Sequence, residues 1–78
     1  MERALAPDEQ LTEYIERARR HVELGSLQIE WLKKMVEGHR VEGRDSKPAE
    51  DLLAAFEHSQ KVFERDLAEL ERRRVERM

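Results

Sequence analysis

Leu11, Ile15, Ala18, Val22, Gly25, Ile29, Leu32 and Val36 follow one another at alternating steps of four and three, without a break. That spacing puts one residue per turn on a single helix face, and it fits no strand. Gly25-Ser26 has the composition of a helix breaker, yet the row keeps its phase across it, so one continuous helix is expected. Glycine inside a helix costs about 1 kcal/mol against alanine. Close approach by a second helix is the expected compensation.

A second stripe, Leu24, Leu27, Trp31 and Met35, runs beside the first, and between Leu24 and Val36 only Ser26, Glu30 and Lys33 clearly point elsewhere. One partner helix covers a narrow seam, so an apolar face this wide asks for more than one partner.

Pro7, Asp8 and Glu9 form a helix start, because proline suits the first helical position and acids suit the positive end of the helix dipole. Gly38 and Gly43 are both candidate stops. Gly43 is preferred, because Arg44-Asp45-Ser46 comes directly after it as a turn and as the cap of a next helix. Asp45 or Ser46 can cap that helix, and Pro48 is tolerated only in its first turn. The expected elements are helices over 8–42 and 47–75, with 1–6 and 76–78 frayed, in a single all-α domain spanning 1–78.

The second helix repeats the alternation through Ala49, Leu53, Phe56, Gln60, Phe63, Leu67 and Leu70, widened by Leu52, Ser59 and Val62. The short connection folds the two back as an antiparallel hairpin, with residue i opposite a residue near ~89 − i. Gly25 is then expected to meet Phe63, Ala18 to meet Leu70, Ile29 to meet Gln60, and Leu32 to meet Phe56. Small residues facing large ones suit interdigitated packing. The expected hairpin core is Leu11, Ile15, Ala18, Val22, Gly25, Ile29, Leu32, Val36, Leu53, Phe56, Phe63, Leu67 and Leu70.

Two helices make one contact layer and enclose no core. Leu24, Leu27, Trp31, Met35, Leu52 and Val62, together with Tyr14, would stay wet. A second hairpin packed on them completes a four-helix bundle, so the expectation is a homo-oligomer, a dimer first and a tetramer next. Trp31 and Met35 are read first as core of that oligomer; the alternative is that they anchor a different protein, since such residues recur at interfaces. Chain length agrees with the need for a partner. A core in 78 residues seldom supplies more than roughly 3–5 kcal/mol without staples, metal or assembly.

Residues 21–60 resemble a family of short proteobacterial proteins of uncharacterised function. The resemblance rests on His21-Val22, Gly25 and Ile29, then Gly43-Arg44-Asp45-Ser46 ahead of Glu50-Asp51-Leu52-Leu53-Ala54-Ala55-Phe56-Glu57. It implies a first helix that continues to Gly43, and it carries no activity, substrate or cofactor. The chain departs from that pattern at Trp31-Leu32, where polar residues are usual, and at Pro48.

Little in the chain points to catalysis. Helical metal sites need ligands three or four residues apart. The residues three before His21, His39 and His58 are Ala18, Val36 and Ala55, and those four after are Gly25, Gly43 and Val62. No metal, cofactor or catalytic residue is therefore expected. The chain has no cysteine, which excludes disulfides and suits a reducing cytoplasm. Of the carboxylates, only Asp66 lies near the apolar face, where Arg20 or His21 could neighbour it as a rim ion pair. Ser26, Ser46 and Ser59 lack a base in nucleophile arrangement.

The longest apolar run, Leu52 to Phe56, is far below the ~20 residues a membrane helix needs, and no signal-peptide core is expected at the N-terminus. Arg17, Arg20, Arg72, Arg73 and Arg74 gather at the open end of the hairpin, and such clusters can neutralise phosphates. Interleaved glutamates such as Glu13, Glu69 and Glu71 cancel much of that field. A nucleic-acid contact there is the alternative to the leading expectation, a non-enzymatic helical interaction or oligomerisation module.

Overall fold

The computed structural model describes residues 6–76. Two helices fill nearly all of it: α1 (Pro7–Val41) and α2 (Lys47–Glu76), packed along each other as a hairpin. No strand occurs among the described residues. The frayed ends expected at 1–6 and 76–78 fall mostly outside them; within them, Ala6 is the extended N-cap of α1 and Glu76 still belongs to α2.

Pro7 opens α1, and Asp8 and Glu9 occupy its first turn while His39 and Arg40 occupy its last. Gly43 ends it at φ 71°. The Arg44 N–H donates to the His39 carbonyl at 2.8 Å and the Gly43 N–H to the Arg40 carbonyl at 3.2 Å. This paired pattern closes a helix through a left-handed residue, which glycine adopts without strain. Gly38 is an ordinary interior residue. At the start of α2 the Lys47 N–H donates to Asp45 Oδ1 at 3.0 Å, so the aspartate rather than Ser46 supplies the capping side chain. Pro48 sits in the first turn, where no helical donor is lost. Lys47 Nζ donates to Asp51 Oδ1 at 2.7 Å, and this bond with the aspartate's charge raises the lysine pKa above 10.5. A raised lysine pKa means that the bond helps at neutral pH and is lost only as pH climbs past the folded value.

Ile15, Leu32, Val36 and Ala49 are buried between the helices. Leu11, Ala18, Val22, Gly25, Ile29, Leu53, Phe56, Leu67 and Leu70 are half-buried along the same seam. The fold-back register lies close to the expected one, since Arg19 pairs with Glu71 at 3.2 Å and Arg40 with Glu50. Ala18 and Leu70 line one hollow, as expected of facing residues.

Gly25 and Phe63 line one hollow, as expected of facing residues. Two details differ. The side chain nearest the space over Gly25 is that of Gln60, which reaches Val22 and Ser26. Its Nε2 donates to the Val22 carbonyl at 2.7 Å and to Ser26 Oγ at 3.1 Å, while Ser26 Oγ donates to the same carbonyl at 3.0 Å. A Cβ at position 25 would run into the Gln60 carboxamide, coming within 2.9 Å of its Cδ. Phe63 is displaced sideways, 40% exposed, with its ring tilted against His21 at a centroid distance of 5.3 Å. The amide wins the notch because a buried carboxamide must find partners, and the Val22 carbonyl lies within its reach.

Gly43→Ala should lower stability by roughly 1–2 kcal/mol because of its left-handed backbone. Gly38→Ala, in open space on a helix, should raise it by up to about 1 kcal/mol. Urea unfolding at fixed protein concentration reads both. Gly25→Ala should destabilise by about 1 kcal/mol, because dislodging Gln60 outweighs the gain in helix propensity. In a Gln60→Ala background the same change should become stabilising, a reversal of sign that a double-mutant cycle detects.

Candidate interaction face

With the seam taken as positions a and d of a heptad, the remaining residues fall on two opposite faces of the hairpin. On the first face the e positions meet across the helices: Arg19, Ser26, Lys33 and Arg40 on α1, against Glu50, Glu57, Glu64 and Glu71 on α2. One helix supplies cations and the other anions. Arg19–Glu71 and Arg40–Glu50 form ion pairs, and Lys33 and Glu57 line one hollow of that face. Glu16, Glu23, Glu30 and Glu37 flank it. The face is hydrophilic from end to end.

The second face, at positions g and c, has a different composition. In its loop-side half it presents Leu24, Gln28, Trp31 and Met35 from α1 with Leu52, Ala55, Ser59 and Val62 from α2. Leu24 and Trp31 are each 60% exposed. Leu52 and Val62 are exposed as well, and Met35 is half-buried. In its open-end half it presents Tyr14, Arg17, His21, Asp66, Glu69 and Arg73. The expected wet set therefore shares one face, with one exception. Leu27 occupies position f, at the back of α1 and away from α2, and is 68% exposed. A partner laid on the flat face reaches Leu24 and Trp31 before Leu27.

The arginines of the open end are largely occupied. Arg17 pairs with Glu13 at 2.9 Å, Arg72 pairs with Glu69, and Arg73 lies 3.4 Å from the same carboxylate. Arg20 and Arg74 are exposed. Asp66 lines a hollow with Arg17, His21 and Phe63, but not with Arg20, which lies at the back of α1. No group of three His, Asp or Glu side chains is placed to hold a metal among the described residues. His58 is exposed, and His39 is half-buried with Nδ1 shielded and unpartnered. No helix among the described residues is long and apolar enough to cross a membrane.

Comparison with known proteins finds no matching family model, no matching curated protein and no matching solved structure. What the molecule can do chemically is therefore read from its two faces. The charged face carries ion pairs between the two helices, whereas Leu24, Trp31, Leu52 and Val62 on the other face are left exposed by both helices. Exposed ion pairs contribute little. Glu57→Lys, on the charged face, should accordingly cost less than about 1 kcal/mol in denaturant unfolding.

Proposed function

We propose that the chain is a non-enzymatic helical module that self-associates through its apolar face, closing a four-helix bundle that serves as an adaptor, scaffold or regulatory subunit. The observation that carries this reading is a hairpin one helix thick, with Leu24, Trp31, Leu52 and Val62 exposed together on one side. Its extents are 55 × 31 × 14 Å and its radius of gyration is 17.7 Å. A compact chain of this length has a radius near ~11–12 Å. The accessible surface is 6439 Å² for a mass of 9.3 kDa, roughly 1,500 Å² above the compact-monomer expectation. A standard interface removes ~800 Å² from each partner, so covering this face accounts for a large part of the excess.

A dimer is the simplest closed assembly. Leu27 and Val41, exposed on the back of α1, offer a smaller second surface for a tetramer. The resemblance to short proteobacterial proteins and a cytoplasmic setting belong to this reading without adding an activity. The nucleic-acid alternative has less support, because Arg17, Arg72 and Arg73 each sit on a glutamate.

Light scattering over a concentration series tests the proposal. The wild type should be a dimer that persists on dilution. Trp31→Glu should weaken association by about 100-fold or more, as expected for burying a charge in place of a central aromatic. Glu57→Lys should leave the mass unchanged. A stably helical wild-type monomer at all concentrations would sink the proposal and point to a different protein as the occupant of the face.

A further inference from the structure

Building on that self-association, we infer that the second copy docks with its two-fold axis parallel to the helices. In this arrangement both loops lie at one end, and each α1 lies on the partner's α2. The apolar face, taken level by level, supplies the reasons. Gln28 and Ser59 line one hollow between the helices, and His21 and Asp66 line another. Each pair therefore lies within about one helical turn of the same height along the hairpin. A two-fold along the helices carries each α1 residue over the α2 residue of the same height in the other copy.

The heptad spacing then sets Met35 on Leu52, Trp31 on Ala55, Gln28 on Ser59 and Leu24 on Val62. Beyond these, it sets His21 on Asp66 and Arg17 on Glu69. The largest side chain meets the smallest, amide meets hydroxyl, aliphatic meets aliphatic, and base meets acid. The heights from Met35 down to Arg17 are matched one by one, and neighbouring helices run antiparallel throughout.

The other two-fold, perpendicular to the helices, puts α1 on α1 and α2 on α2. With full overlap it lays Trp31 near Arg17 and Met35 near Tyr14 of the other copy, and α2 likewise sets Ala55 near Glu69. Arg17 and Glu69, paired within their own chain, would there be pressed onto apolar side chains, and taking such pairs out of water is costly without new polar partners. Sliding the copies until only the apolar halves overlap removes those clashes, but it leaves the open-end half of each face uncovered. Charge and size complementarity thus select the axis.

The chain has no cysteine, so single cysteines report the geometry without background. Gln28→Cys and Ser59→Cys, both on exposed residues, are prepared separately, reduced, mixed and oxidised. The expected result is a band of doubled mass on a non-reducing gel from the mixture and from neither variant alone. Doubled mass from Gln28→Cys alone would overturn the axis while leaving self-association intact. So would a dimer by light scattering that forms no disulfide in the mixture. A monomer by light scattering in both variants and in the wild type would overturn self-association itself, and the axis with it.

Discussion

Where Gln60 crosses Gly25, its carboxamide occupies the space that a side chain at position 25 would take. The glutamine amide reaches over the glycine to the Val22 carbonyl and Ser26 hydroxyl, and that placement fixes how far along α1 the second helix sits. Helices held only by aliphatic side chains can slide by a turn at small cost, because dispersion contacts are individually weak and non-directional. A buried amide allows less freedom, since each displaced hydrogen bond leaves a group unsatisfied. With the register fixed at one point, the heptads of both helices carry it to the ends. Arg19 finds Glu71 at the open end, and Arg40 finds Glu50 by the turn.

Much of this was readable from the residues. The uninterrupted alternation from Leu11 to Val36 outweighed the local signal of Gly25-Ser26, because a break would have destroyed a phase that is in fact kept. Gly43 was separable from Gly38 by its C-terminal neighbours, an Asp-Ser cap ahead of Pro48. The wet set from Leu24 to Val62 could be named by subtraction once the seam was assigned. What the periodicity could not supply was the identity of the residue in the Gly25 notch. Spacing alone ranks Phe63 as a core residue by hydrophobicity, and it is blind to the carbonyl that draws in Gln60. The position of Leu27 at the back of α1 was similarly hidden, because a stripe counted in threes and fours does not distinguish position f from position c.

The two faces differ in what burial would cost them. Cations on α1 opposite anions on α2 add little stability at exposed positions. Their effect is to keep the e side wet, since removing such charges from water is expensive. Among the described residues, the apolar side is thereby the broad surface whose burial would cost least, and a repelling face of this kind is one way to direct a partner elsewhere.

The turn at 42–46 also imposes an order on events. The Arg40–Glu50 pair joins residues only 10 apart in sequence, whereas Arg19–Glu71 joins residues 52 apart. Each doubling of a closed loop costs about 0.6 kcal/mol more in chain entropy, so first contact is cheapest beside the turn. The hairpin should close like a zipper from Val36 and Ala49 outward, each formed level shortening the loop that the next must close. Opening reverses the sequence. The open end therefore parts first, and amide exchange within the helices slows from there toward the level of Val36 and Ala49.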